Sequence, residues 1–251
     1  VNSAPFNFFR GFITAIRTLT WLPMPGRDAA SFASALPWFP LVGLMLGSAI
    51  YGLCLLLGTT WPEGTALAVV VGGTLLTRGL HLDGLADSAD GLFGGRTRER
   101  MLEIMKDSRM GAFGGIAIAL ILIAKFVFVT RLANLDALAW IIPAFIVSRT
   151  AQAVLAVTVP YARADGTAAP FIAEARPVHA ILALLLAIGV IVTVGRSNIL
   201  WVVSLAIGLA LTTLLGRAFR RRVGGITGDL LGATSELTET TVLLYGCLAA
   251  A

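Results

Sequence analysis

The long uncharged runs of this chain decide its architecture before any other feature does. Seven stretches approach the ~20 apolar residues that a helix needs to cross a bilayer: 36–57, 65–80, 112–130, 137–159, 178–194, 198–218 and 230–250. The second and fifth are short for the task. Of 251 residues, 57% are hydrophobic and only 13% are charged, and the mean hydropathy is +0.86. A water-facing domain needs far more charge than this. The expectation is an all-α fold: a polytopic integral membrane helical bundle of about seven transmembrane helices, forming a single domain over 1–251.

Residues 6–22 (FNFFRGFITAIRTLTWL) break the pattern. Phe6, Phe9, Ile13, Ile16 and the Leu19–Thr20 pair fall near one helical face, with Arg10 and Arg17 on it. That pattern predicts an amphipathic helix lying in the membrane interface, within an N-terminal segment 1–30 that precedes the bundle 31–251. A basic stretch followed by a small-residue cleavage site is missing here, so a signal peptide is not expected. Cys54 and Cys247 both lie in apolar runs at a spacing that matches no metal motif, and read as small buried hydrophobes.

The positive charges set an orientation. Arg10, Arg17 and Arg27 precede the first run. Arg96, Arg98, Arg100, Lys106 and Arg109 lie between the second and third, Arg163 and Arg176 between the fourth and fifth, and Arg217, Arg220, Arg221 and Arg222 between the sixth and seventh. The other connections hold one basic residue or none. By the positive-inside rule the N-terminus and the segments 81–111, 160–178 and 217–230 face the cytoplasm. The arginines read as a topology signal plus contacts to lipid headgroups. With no recognition helix, zinc finger or aromatic platform, nucleic acid is not an expected partner.

Acid is rare in this chain and unevenly placed. Seven of the fourteen acidic residues fall in two motifs. The first runs His81-Leu-Asp83-Gly-Leu-Ala-Asp87-Ser-Ala-Asp90-Gly91, then Gly94-Gly95, a basic run, and Lys106-Asp107-Ser-Arg109-Met-Gly111-Ala-Phe-Gly114. Asp83, Asp87 and Asp90 stand at i, i+4 and i+7, within an arc of roughly 60° on one helical face. Carboxylates so placed repel one another unless a cation sits among them. Hard oxygen donors suit Mg²⁺, which takes one or two carboxylates together with substrate phosphates. On this reading Gly84, Gly91, Gly94 and Gly95 let a diphosphate approach the backbone, while Lys106 and Arg109 balance its charge. The competing reading is a solvated loop, which accounts for one aspartate better than for three in phase.

The second motif is Gly224-Gly-Ile-Thr227-Gly-Asp229-Leu-Leu-Gly-Ala-Thr-Ser-Glu236-Leu-Thr-Glu239. Asp229 and Glu236, seven apart, share a face. Thr227 is placed to cap a helix whose free N–H groups suit a phosphate. Two readings stand: packing glycines with acids that cap a helix, or the second half of a divided site. Three further residues also carry two readings each. Arg149, inside an apolar run, is a counter-ion to one of the aspartates or a substrate ligand. His81 is a metal ligand or base, or a polar residue at a helix end. Tyr161 and Arg163 in PYARADG hold phosphate or stack on a base, or simply form a turn.

These motifs resemble the cobalamin synthase family (cobalamin 5′-phosphate synthase, adenosylcobinamide-GDP ribazoletransferase). The likeness rests on HLDGLADSADGLFGG with KDSRMGAFG and on GGITGDLLGATSELTE. PYARADG and FITAIRTLTWLPMP extend it over nearly the whole chain. It implies a Mg²⁺-dependent membrane transferase late in cobalamin assembly, joining adenosylcobinamide-GDP to α-ribazole or its 5′-phosphate and releasing GMP. It further implies roles for Asp83, Asp87 and Asp90, for Lys106 and Asp107, and for Asp229 and Glu236. Asp83, Asp87 and Asp90 are the expected Mg²⁺ ligands, with Asp90 or Glu236 as candidate base. Arg78 stands where many relatives have a small residue, and Gly166-Thr167-Ala168 only loosely matches a glycine-richer stretch. The implied setting is the cytoplasmic (inner) membrane of a bacterium or archaeon, with the active site on the cytoplasmic side. Self-association and contact with other late cobalamin-assembly enzymes are the protein partners this setting allows.

Three competing classes fit less well. A CDP-alcohol transferase would follow Asp-Gly-x-x-Ala with Arg, where this chain has Asp87. A membrane prenyltransferase would favour Asn before its first aspartate. An ion-coupled transporter would show repeated halves and acids near the midplane, whereas these acids group at one face and no internal repeat is visible.

Overall fold

The structure, a computed structural model, describes residues 4–196 and 198–251, with side chains from residue 9 onward. Phe6 therefore lies outside the described side chains, and Ser197 outside the described residues. The described chain is helical: α1 (Ala4–Leu19), α2 (Phe39–Leu57), α3 (Pro62–Leu76), α4 (Leu80–Gly94), α5 (Arg98–Ile104), α6 (Ala112–Asn134), α7 (Ile141–Thr158), α8 (Ala169–Ala173), α9 (Pro177–Val194), α10 (Ile199–Val223) and α11 (Gly228–Ala249). Tight 3₁₀ turns at Phe32–Trp38 and Leu138–Trp140 lead into α2 and α7.

Among the described residues, five segments are long and apolar enough to cross a bilayer: Phe32–Leu57, Ala112–Asn134, Leu138–Thr158, Pro177–Val194 and Ile199–Val223. A sixth exists only if α3 and α4, bent by 87° at a short break, count together. The expected count of about seven is thus approximate. The run 65–80 is not a straight span, because it stops at Arg78 and Gly79, whose φ values are +55° and +67°. Two left-handed residues in succession end a helix, and here the Gly79 N–H donates back to the Thr74 carbonyl at 2.8 Å. Helix α11 has the length, 22 residues, but its acids and threonines keep it out of the apolar class.

Helix α7 is the axis of the bundle. Fifteen of its eighteen residues are buried, as a helix apolar on all sides requires. Helix α2 approaches it through Gly43 and Gly47, a G-x-x-x-G pair. A Cβ at Gly43 would lie 2.5 Å from the Phe145 carbonyl oxygen. Small residues at this spacing let membrane helices touch backbone to backbone. The outside of the bundle is apolar. Ile116, Leu120, Ile123 and Val127 form an exposed stripe on α6, and Ile181, Leu185 and Ile188 another on α9. Such faces suit lipid and not water.

Helix α1 is amphipathic but does not lie free on a surface. Ala15, Ile16 and Leu19 are buried, and the Phe12 ring meets Trp38 at 5.2 Å. Arg17 donates to the carbonyls of Met24 and Gly26 and pairs with Asp28 at 3.1 Å. Phe9 remains outside at 68% exposure, so only part of the expected apolar face is left for lipid. Cys54 and Cys247 are free and buried.

Inside this apolar shell sits a cluster of four charges. Lys125 of α6 contacts Glu236 at 2.7 Å and Glu239 at 2.6 Å, and Arg149 of α7 contacts Glu239 at 2.6 Å. Arg149 also donates to Ser148 and Ser235 and lies over the Phe145 ring. Two cations balance two anions, which is the condition for keeping ions in a low-dielectric interior. Lys125→Met leaves Glu236 without its cation and should destabilise the fold by about 3–5 kcal/mol, read as a lowered thermal midpoint in detergent. Adding Glu236→Gln should restore much of the loss. At the α3–α4 bend the left-handed conformation of Arg78 costs about 1–2 kcal/mol in an L-residue. Arg78→Gly should therefore raise the midpoint slightly.

Candidate active site at the acidic end of the bundle

Three segments distant in sequence are tied together at one end of the bundle. The loop after α7 and the loop after α10 form an isolated parallel bridge between Tyr161 and Ile226. The Ala162 N–H donates to the Ile226 carbonyl at 2.8 Å, and the Ile226 N–H to the Pro160 carbonyl at 2.9 Å. From the first motif, Arg98 donates to the Ala162 carbonyl, and Lys106 meets Asp165 at 3.3 Å. Arg222, at the end of α10, donates to the Leu92 carbonyl at 2.7 Å. The segment 81–111 is not a loop: α4 and α5 occupy most of it.

Helices α4 and α11 cross in contact at this end. A Cβ on Gly84 would lie 2.8 Å from the Asp229 carbonyl oxygen, and one on Gly232 would lie 3.2 Å from that of His81. The crossing brings Asp229 to the face that carries Asp83 and Asp87. Asp83 is exposed and Asp87 half-buried, and Asp87 feels the like charges of Asp83, Asp229 and Asp90. One cation answers them: Arg163 pairs with Asp229 at 2.9 Å. Thr227 caps α11, accepting from the Leu230 N–H, and its hydroxyl lies 3.2 Å from Asp229. Beside Asp83 and Asp229 lies a cavity of about 400 Å³ whose lining also includes His81 and Gln152.

Asp90 shares the helical face but has a different surrounding. It is buried, and its two oxygens accept from the Gly111 N–H at 2.7 Å and the Gly114 N–H at 2.8 Å. It therefore caps α6 from a neighbouring helix. Both glycines are needed for this, because a Cβ at either would run into the Asp90 carboxylate. That explains why the first motif continues into Met-Gly-Ala-Phe-Gly. Among the described residues, no group of three or more His, Cys, Asp or Glu side chains is drawn together tightly enough to hold a metal ion.

Other expected site residues are dispersed. Glu236 stands in the interior cluster against Lys125, apart from the aspartates. Arg149, 1% exposed, pairs with Glu239 and not with an aspartate. Gly84, Gly91 and Gly95 do not open the backbone to a diphosphate: each faces protein atoms, Gly84 the Asp229 backbone, Gly91 Met105, and Gly95 Met101. Asp107 and Arg109 form an exposed pair with each other at 2.7 Å. Arg109 holds the Asp107 carboxyl down at about 2, so that pair is formed at neutral pH and is lost only as pH falls through about 2. The Tyr161 hydroxyl is turned inward against Gly166, and burial raises its pKa. His81 is not at an exposed helix end: it is 1% exposed in the first turn of α4. Sequence reasoning missed Lys125 and Gln152. A lone lysine inside the run 112–130 was the signal for the first, and a glutamine three residues after Arg149 the signal for the second.

The fold and the site together define a multi-pass membrane protein with an acidic mouth at one end, where Arg163 pairs with Asp229. The family model described as cobalamin-5-phosphate synthase matches residues 11–248, and the chain belongs to that family. Similar proteins named adenosylcobinamide-GDP ribazoletransferase come from Chlorobium chlorochromatii (43% identical, covering 95% of this chain and 96% of that protein) and Chlorobaculum tepidum (44%, covering 95% of each). A third, from Pelodictyon phaeoclathratiforme, is 43% identical over 96% of this chain and 98% of its own length. No solved structure matches. The membership decides between the transferase and transporter readings in favour of the first.

Asp90→Ala should leave the buried Gly114 amide unsatisfied, at a cost of about 1–3 kcal/mol, and lower the thermal midpoint. Gly114→Val should do the same by displacing the Asp90 carboxylate. If neither substitution moves the midpoint, Asp90 does not act as the cap of α6.

Proposed function

We propose that this chain joins adenosylcobinamide-GDP to α-ribazole or α-ribazole 5′-phosphate, forming adenosylcobalamin or its 5′-phosphate and releasing GMP. The observation that carries the reading is the grouping of Asp83, Asp87 and Asp229 with Arg163 at one end of the bundle, where Asp83 and Asp229 border a cavity, in a chain of this family. A ribose hydroxyl attacks the cobinamide-bearing phosphorus of the diphosphate. The new O–P bond forms as the P–O bond to GMP breaks, and the hydroxyl proton passes to one carboxylate of the trio. The chemistry needs charge neutralisation and in-line positioning more than covalent help from the protein.

The residues divide that work. Arg163, already paired to Asp229, is placed to hold a phosphate oxygen by a charge-assisted bond. Lys106, exposed at the same end, adds a second positive charge. Asp83 and Asp87, four apart on one face of α4, are the hard oxygen donors that would hold Mg²⁺. The donor set fits that ion in its chemistry: these are hard carboxylate oxygens whose mutual repulsion a dication would relieve. When bound, Mg²⁺ would offset the diphosphate charge and stabilise the leaving GMP. Asp90 supports the mouth from beneath by fixing α6. The clustered arginines of α10 and the first motif support a cytoplasmic orientation of this end in the inner membrane.

Purified protein in liposomes should release GMP from adenosylcobinamide-GDP only when α-ribazole and Mg²⁺ are both present. Asp83→Asn and Asp87→Asn should each lower turnover by about 10²-fold or more at an unchanged thermal midpoint. Movement of substrate across the membrane without GMP release would sink the transferase reading. Full activity in EDTA would sink the metal assignment.

A further inference from the structure

One strongly charged feature of the fold takes no part in the mouth. Helix α10 ends on Arg217, Arg220, Arg221 and Arg222, all of them exposed. Arg222 is engaged, donating to the Leu92 carbonyl of α4. Among the described residues, the side chains of Arg217, Arg220 and Arg221 have no carboxylate partner. The end of a helix offers them only about half a negative charge. The balancing anion therefore comes from outside the chain. Two of these arginines border a groove between α7 and α10. It has a volume of about 220 Å³ and is lined by Val154 and Leu155 of α7, by Thr213 and Gly216 of α10, and by Arg217 and Arg220. Its threonines offer no free donor, because each hydroxyl donates to a carbonyl of its own helix: Thr158 to Val154, Thr212 to Gly208 and Thr213 to Leu209. The walls are thus apolar and one end is cationic. Depth agrees with this division. About 20 helical residues cross the hydrocarbon, so a core that begins at Ile199 ends near Ala218. Arg217 and Arg220 then stand at the level of the lipid phosphates, and Thr213 a turn inside.

We propose that this groove is a binding site for one anionic phospholipid, with an acyl chain between α7 and α10 and the phosphate on Arg217 and Arg220. The two arginines are three apart, which makes them neighbours on one helical face. A guanidinium meets a phosphate through two parallel hydrogen bonds, and basic pockets between membrane helices suit such headgroups. The occupant needs an apolar chain and an anion joined at one end. A free nucleotide or phosphate supplies the anion without the chain. Phosphatidylcholine supplies both, but it brings an ammonium group beside its phosphate, where Arg221 already adds positive charge. Phosphatidylglycerol brings a phosphate charge that nothing in the lipid offsets. The site also has a definite place in the fold. The chain runs from α7 through Pro160 to Arg163 and from α10 through Gly224 to Asp229, and the two loops meet at the Tyr161–Ile226 bridge. A lipid in the groove lies against the last turns of both helices, just before those loops begin. The inference is independent of the transfer reaction, since it calls on neither substrate.

The test places the full chain in nanodiscs made of equal parts phosphatidylcholine and phosphatidylglycerol with matched acyl chains. Native mass spectrometry then counts the lipids that stay on the protein after ejection from the disc. Wild-type protein should retain phosphatidylglycerol over phosphatidylcholine by about 10-fold. The double substitution Arg217→Gln with Arg220→Gln removes the charge and keeps the groove. Thr213→Phe fills the groove and keeps the charge. Each should bring the preference down to about 2-fold or less. Arg221→Gln removes an equal charge from a residue that does not line the groove, and should leave the preference within about 2-fold of wild type. All four positions are exposed, and circular dichroism checks that helix content is kept. A wild type without the preference would overturn the proposal, as would a preference that survives either the double substitution or Thr213→Phe. An equal loss in Arg221→Gln would show diffuse charge attraction instead of a site. Displacement of the retained lipid by GMP or inorganic phosphate would show a site for soluble anions, and would overturn the proposal as well.

Discussion

The contact between α4 and α11 organises everything at the working end of the molecule. Gly84 lies against the backbone of Asp229 and Gly232 against that of His81, so the two helices touch without side chains between them. Close packing of this kind is the main attraction left to helices in lipid, where burial of apolar surface gains nothing. The crossing sets the position of Asp229 relative to Asp83 and Asp87, and it turns His81 inward. A side chain at either glycine would push the acids apart and open the floor of the cavity together. The motif glycines thus act on the chemistry through helix spacing, not by clearing a path for phosphate.

Much of this was legible in the sequence, and what was not has a physical reason. Long uncharged runs force helices in a bilayer, so the fold class followed from hydropathy alone. The i, i+4, i+7 phasing of Asp83, Asp87 and Asp90 also followed from helix geometry. Depth did not. Periodicity gives a face but not what covers it, and α6 covers the Asp90 end of α4 while leaving the Asp83 end open. Thr227 was readable as a cap because capping is local. The partner of Arg149 was not, because Glu239 lies 90 positions away and only tertiary packing joins them. The break at Arg78 was hidden for a related reason: an arginine gives no sign of a left-handed backbone, whereas glycine or asparagine would have done so.

Five of the acids in the two motifs form two populations with opposite requirements. Glu236 and Glu239 are enclosed, and each is held against cations at 2.6–2.7 Å. Enclosed ions tolerate no excess charge, so that cluster is closed and neutral. Asp83, Asp87 and Asp229 lie where water and ligand reach, with Arg163 as the cation paired among them. An unbalanced negative mouth is a poor way to stabilise a fold and a useful way to recruit metal ions and cationic groups. Helix α11 carries members of both sets, Asp229 at its first turn and the glutamates two to three turns on. A shift of α11 along its axis would disturb the buried neutral cluster as well as the mouth. The interior ion pairs therefore fix the height at which Asp229 is presented.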